Sequence, residues 1–375
     1  MTFSMFIPCL LGLEGIIADE LRDLGASDVR AENGRVNFSG GADILARANI
    51  RLRCAERVLV EVGSFEAHSF DELFEGTKAL AWSGLIGPLD AFPVKGYSLN
   101  SDLFSVSDCQ SIIKKAVVDS LAAKYSKTFF EETGALFQIR FSIMRNRVTL
   151  AVDSSGAGLH KRGYRPVSKT APLKETLAAA LCSCARLRPT HTFYDPMCGS
   201  GTIAVEAALT AANIAPGINR SFTAENWSMV GKSVFDTERQ LARSLENRSV
   251  PFFAYASDID PEAVDIARLN AERAGVSDFI DFKVADIADF EPETDFGTLI
   301  TNPPYGERLL DSAAVSELYA LMGEKFVRRR GWTYGVLTPD EEFDARFGRK
   351  ADKRRKLYNG MIKCDFYMFF KSNTI

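Results

Sequence analysis

Histidine, clustered cysteine and long apolar runs are what this sequence has least of. It has 3 histidines in 375 residues, and its 7 cysteines are scattered without a C-x-x-C pair. Neither a zinc site nor a disulfide framework is therefore expected. Unpaired thiols point to a reducing compartment, so a cytoplasmic location is expected. No apolar run reaches the roughly 18 residues that a membrane helix needs, so no membrane span is expected. The apolar start MTFSMFIPCLLGLEGIIADE lacks a basic beginning, is broken by Pro8 and Gly12, and carries Glu14, Asp19 and Glu20. It does not read as a signal peptide. Net charge is only −4, so any contact with nucleic acid must come from local basic patches rather than a bulk field. No G-x-x-x-x-G-K occurs, which removes a phosphate-cradling P-loop.

What is present is a soluble, core-forming composition, 46% hydrophobic and 25% charged, in a chain long enough for two or three domains. The first part mixes short strands (FSMFI, GRVNF, RVLVEV, FPVKGYSL) with amphipathic helices. It ends in LFQIRFSIM and RVTLAVD, a predicted hairpin turning near Arg145–Asn146. Two small α+β units are the simplest reading. Residues 154–172, SSGAGLHKRGYRPVSKTAP, have the Gly, Ser, Pro and basic composition of a linker. Longer β–α repeats follow, which predict a doubly wound parallel sheet. The alternating tail KLYNGMIKCDFYMFF closes it with an antiparallel pair, turning at Asn359–Gly360.

Chemistry-bearing residues gather at predicted strand ends. In DPMCGSGT, Asp195 ends a strand, and Gly199 and Gly201 let a ligand approach the backbone at a helix N-terminus. GSGTIA also fits a dinucleotide loop, but a carboxylate at that strand end would repel a pyrophosphate and suits an ammonium group instead. Asp258 ends FFAYASD, where ribose hydroxyls need an acid, and Asp286 ends FIDFKVAD. Each acid alone reads as a helix cap; together with the glycine loop they read as a cofactor site. The insert NIAPGINRSFTAENW is expected to bulge out between the first two. TNPPYG, residues 301–306, stops a buried strand with two prolines that cannot donate to a ladder. Asn302 and the Pro303 carbonyl then present acceptors, and Tyr305 an aromatic face, at the strand's carboxyl end, where ligands bind in open α/β sheets. Among the basic segments, Lys161, Arg162, Arg165 and Lys169 are expected to meet an RNA backbone. The run from Arg346 to Lys356 reads as a solvated face.

The set DPMCGSGT, SDIDP, AD and NPPYGERL resembles motifs I to IV of class I S-adenosylmethionine-dependent amine methyltransferases. With LHKRGYR, NIAPGINR and FPVKGYSLNSDLFSVSDCQSIIKKA, the chain is similar to THUMP-domain RNA guanine-N2 methyltransferases, nearest to the bacterial 23S ribosomal RNA family. The resemblance implies an α/β class I, Rossmann-like sheet with an antiparallel final strand, preceded by ferredoxin-like and THUMP domains. Implied boundaries are 1–60 ferredoxin-like, 61–155 THUMP, 156–172 linker and 173–375 methyltransferase. It implies S-adenosylmethionine held by Asp195, Gly199, Gly201, Asp258 and Asp286, catalysis by Asn302, Pro303 and Tyr305, no metal, and an RNA partner. The motifs are shared with adenine-N6 methylases, so transfer RNA guanine and adenine N6 stay open as targets. Two other classes are weighed: an RNA-binding assembly factor with an inactive methylase fold, and an NAD-dependent oxidoreductase. The oxidoreductase lacks a strand-end proton donor.

Overall fold

A computed structural model describes residues 1–165, 173–305 and 312–370. Lys169 and the GERL end of NPPYGERL lie outside the described residues. The chain forms two compact units: one from Met1–Pro8, Ala18–Leu159 and Ser221–Gln240, the other from Cys9–Ile17, His160–Arg220 and Leu241–Ile375.

In chain order the elements up to Asp153 are β1 (Phe3–Pro8), α1 (Glu14–Asp23), β2 (Ser27–Glu32), β3 (Arg35–Gly40), α2 (Ala42–Arg51), β4 (Leu59–Glu66), α3 (Phe70–Lys78), β5 (Val94–Leu99), α4 (Val106–Tyr125), β6 (Ile139–Met144) and β7 (Arg147–Asp153). Their strands make one sheet in the order β2-β3-β1-β4-β7-β6-β5, with only β5 and β6 parallel. Local chemistry sets the ends. Ser69 caps α3 by accepting from the Glu72 amide. Arg145 and Asn146 take the positive φ values, 50° and 64°, that a tight two-residue hairpin turn needs. Ser105 caps α4 by accepting from the Asp108 amide. Part of the expected bulge is built into this unit: Trp227 is fully buried, stacks on Phe137 at 4.7 Å and donates through Nε1 to the Leu136 carbonyl.

The remaining elements are α5 (Glu175–Cys184), β8 (Thr192–Asp195), α6 (Thr202–Ala211), α7 (Lys232–Ser244), β9 (Ala254–Asp258), α8 (Pro261–Ala274), β10 (Ile280–Val284), β11 (Gly297–Thr301), α9 (Ser312–Lys325), β12 (Trp332–Thr338), α10 (Phe343–Arg346), β13 (Lys353–Asn359) and β14 (Ile362–Phe369). The second sheet runs β10-β9-β8-β11-β12-β14-β13. It is parallel as far as β12, and β14 pairs antiparallel with both β12 and β13. This is the expected doubly wound sheet with an antiparallel final pair. Tyr194, Leu299, Tyr319, Phe326, Tyr334 and Tyr367 belong to one buried cluster of the core. The winding direction reverses between β8 and β11, and ligands bind at such a switch point, outside the carboxyl ends of the strands. Among the described residues no helix is long and apolar enough to cross a membrane.

Candidate active site

The turn from β8 into α6 is shaped by two glycines with different jobs. Gly201 (φ +77°) has no room for a side chain: a Cβ would lie 2.9 Å from the Ala267 Cβ and 3.1 Å from the Phe282 ring. Gly199 (φ +51°) has open space around it, so it provides left-handed backbone and a bare surface. The loop is pinned from the neighbouring strand. Cys198 N–H donates to the Ser257 carbonyl at 2.8 Å, and Gly199 N–H donates to Asp258 Oδ2 at 2.8 Å. Asn270 Nδ2, from α8, donates to the Ser200 carbonyl at 2.9 Å.

The three strand-end acids therefore do different work. Asp258 Oδ1 accepts from the Asp260 amide at 3.0 Å, so both of its oxygens already hold backbone. Asp286 caps the short turn Ile287–Asp289 by accepting from the Ala288 amide at 2.8 Å. It also borders a depression shared with Pro196, Ser257, Ala285 and Tyr255. Asp195 differs from both. It is fully buried, and only Oδ1 is engaged, accepting from Thr301 Oγ1 at 2.9 Å and from the Met197 amide at 3.4 Å. Oδ2 is buried with no hydrogen-bond partner among the described residues. Burial pushes the Asp195 carboxyl up to about 7; the Thr301 and Met197 bonds oppose the rise, and the Asp258 charge adds to it.

Across the switch point, Thr301 ties the end of β11 to Asp195, and Asn302 follows directly. Its Oδ1 is also buried without a partner among the described residues. Pro303 is buried, and Tyr305 is half-buried. The Tyr305 hydroxyl accepts from Asn359 Nδ2 at 2.8 Å, and burial pushes its pKa up to about 12. Two acceptors without donors thus sit at the ends of adjacent strands, one anionic when ionised and one neutral. Such a pair can receive a cationic ligand and an amine N–H. Thr301 and Asn359 are the residues that sequence reasoning missed. Thr301 lay within the quoted TNPPYG, but nothing in the sequence places it against Asp195.

The expected basic cluster divides. Lys161 is exposed, but Arg162 is buried with its Nε 3.5 Å from Glu206 Oε1, where the buried Tyr164 hydroxyl also donates. Arg165 donates to Thr202 Oγ1 at 3.0 Å and to the Leu173 carbonyl at 2.9 Å, and pairs with Glu175 at 3.3 Å. Arg162 and Arg165 therefore fasten the segment to α5 and α6 instead of standing in solvent for RNA. The reason is periodicity: positions 162 and 164 face in, and 161 and 163 face out. Much of the run from Arg346 to Lys356 is likewise engaged. Arg346 pairs with Asp340 and Glu342, Arg354 pairs with Asp365, and Arg349 lies over the Phe369 ring.

Comparison with known proteins shows three matched regions: an RlmL ferredoxin-like domain at residues 4–59, a THUMP domain at 67–153, and an RMKL-like methyltransferase domain at 162–368. The chain is 45% identical to the Bacillus subtilis protein YpsC, whose name describes an RNA methyltransferase, over 98% of this chain and 96% of that one. It is 34% identical to the ribosomal RNA large subunit methyltransferase K/L of Shewanella frigidimarina, covering 98% of this chain and 52% of that protein. The chain thus spans about half the length of that relative. Two solved structures match closely. One is a Listeria monocytogenes protein titled as an N6-adenine-specific DNA methylase (TM-score 0.93, 46% identity, 99% and 96% of the chains). The other is SMU.472, a methyltransferase complexed with S-adenosylhomocysteine (TM-score 0.94, 40% identity, 100% and 99%).

Proposed function

The chain belongs to the RMKL-like methyltransferase family, and from that premise we propose that it methylates the exocyclic N2 amine of a guanine in structured RNA, with 23S ribosomal RNA as substrate. Its methyl donor is S-adenosylmethionine. The observation that carries the reading is the buried, unpartnered Asn302 Oδ1 at the carboxyl end of β11. A buried acceptor left without a donor is costly, roughly 1–3 kcal/mol, and calls for a ligand that completes it.

The residues around the switch point fit the cofactor. Gly199 offers a bare backbone surface, and Asp195 Oδ2 offers a buried anionic acceptor suited to an ammonium group. Ribose hydroxyls are assigned to Asp258 and the adenine amine to Asp286, each accepting through lone pairs left beyond the backbone amides it holds, while Gly201 keeps α6 tight behind them. The bound cofactor supplies a methyl group already activated on a sulfonium. The protein's remaining task is to align a weakly nucleophilic amine, whose lone pair is delocalised into the purine ring. Asn302 Oδ1 and the Pro303 carbonyl accept its two N–H bonds, turning the lone pair toward the methyl group and stabilising the charge that develops. Tyr305 stacks on the rotated base, with its ring held by Asn359. Residues 1–60 and 61–155 hold the RNA, and 173–375 carry out transfer. Of the basic residues in the segment at 156–172, Lys161 is the one assigned to a phosphate.

Adenine N6 presents the same pair of N–H bonds, so the choice of guanine rests on the family likeness and not on Asn302. Incubating the full chain with methyl-labelled S-adenosylmethionine and 23S RNA from a strain lacking the gene should yield labelled N2-methylguanosine after digestion. Label in N6-methyladenosine would overturn the base assignment. Label entering only transfer RNA would overturn the substrate assignment.

A further inference from the structure

The hairpin β13–β14 touches the candidate catalytic loop at its turn. Asn359, the last residue of β13, donates to the Tyr305 hydroxyl at 2.8 Å, and Cys364 Sγ lies 3.9 Å from the same oxygen. The turn itself is Gly360–Met361, with Gly360 at φ +63°. Met361 is 98% exposed, more than any other large hydrophobic side chain among the described residues, and Ile362 beside it is 48% exposed. Lys353 and Lys356 are exposed along the same hairpin, Lys363 is exposed but pairs with Glu341 at 2.7 Å, and no acidic residue occurs from 353 to 363. An apolar side chain held in water on the turn of a lysine-bearing hairpin, which Asn359 bonds to the candidate stacking tyrosine, has the chemistry of a wedge. Proteins that kink nucleic acid insert apolar side chains, methionine among them, between base steps, while nearby cations hold the phosphates. A base taken out of its stack leaves a gap of aromatic thickness, and a flexible thioether fills irregular gaps well.

We propose that the β13–β14 tip enters the RNA, with Met361 occupying the place in the stack that the target base leaves when it swings onto Tyr305. The inference rests on the proposed function, and its test separates the two. A photoreactive benzoylphenylalanine is placed at position 361 of the full chain, or, as a control, at Leu269, which is 50% exposed on α8. Each protein is irradiated with radiolabelled 23S RNA from the deletion strain. Position 361 should cross-link RNA strongly and position 269 at background. In parallel, Met361→Asp should lower methyl transfer by roughly tenfold or more, since an anion cannot enter the stack, while calorimetric S-adenosylmethionine binding stays unchanged. Cross-linking at 361 no higher than at 269, or unchanged transfer by Met361→Asp, would overturn the wedge. Failure of the wild-type chain to methylate any RNA would instead defeat the proposed function.

Discussion

Two buried aspartates end strands in the two sheets, and their surroundings are opposite. Asp153, ending β7, is fully buried and fully engaged. One oxygen takes Arg57 and Arg140, and the other takes the Ser155 and Gly156 amides at 3.0 and 3.2 Å. Asp195, ending β8, is equally buried but has one hydroxyl, one amide and an oxygen left over. No cation among the described residues counters its charge. A carboxylate enclosed by arginines is a fixture of the fold. One enclosed without them is kept at the expense of stability, and a cationic ligand is what would complete it. The same contrast separates Asn302, with its orphaned oxygen, from Asn49, a buried asparagine whose amide bonds the Leu45 carbonyl and Ser154 and whose oxygen accepts from Ser155.

The largest expected effect is on rate. Asn302→Ala should lower single-turnover methyl transfer by about 10²–10³-fold while leaving cofactor affinity unchanged, because the contact matures with developing charge. A fall in affinity equal to the fall in rate would make Asn302 a binding residue instead. Next comes stability. Asp153→Asn should cost about 2–3 kcal/mol in denaturant unfolding, below the full penalty for a broken buried pair because Arg57 and Arg140 keep 27% and 30% exposure. Asp195→Asn should leave the ligand-free protein as stable or more stable near pH 8.

The pH dependence sharpens the contrast. The Asp195 carboxyl is held at about 7, above its ordinary value of 3.8, so the folded protein favours the protonated form. Its contribution to stability is complete below the ordinary value and is lost as pH rises through 7. Cofactor affinity should move the other way, tightening up to roughly tenfold between pH 6 and 8 as the carboxylate forms. Asp195→Asn should flatten both trends in calorimetry and thermal melts. The smallest effect concerns salt. With Arg162 and Arg165 buried, Lys161→Ala should reduce the salt slope of RNA binding by about 0.9 at most. A drop near three units in a triple neutralisation would require those arginines to leave their carboxylates.

The parallel strands and their acids were legible because alternating β and α patterns ending in Asp, Gly and Asn are local signals. Elements poor in apolar residues were not. β2 (SDVRAE) is a polar edge strand with no buried residue, and α7 (KSVFDTERQLARS) keeps a clear amphipathic period but carries few apolar residues in a charged stretch. The tail hairpin was found one residue early: its loop is Gly360–Met361, with Asn359 still paired to Ile362. Asp195, Asp258 and Asn302 could be named as candidates, but not their division of labour. Whether a carboxylate has a spare oxygen depends on Thr301, 106 positions away in sequence. The basic segment misled for the converse reason. Charge in a linker looks free until Glu206 and Glu175, on helices that read as apolar, turn out to face it.

The central claim is that the unpartnered acceptors at the β8 and β11 ends are where methyl transfer to a guanine amine takes place. The most direct test is mass-spectrometric mapping of 23S RNA nucleosides from a deletion strain complemented with the wild-type gene or with Asn302→Ala at matched protein levels. One N2-methylguanosine should vanish on deletion, return with the wild-type gene and stay absent with the variant. Full restoration by Asn302→Ala, or an unchanged nucleoside map on deletion, would contradict the account.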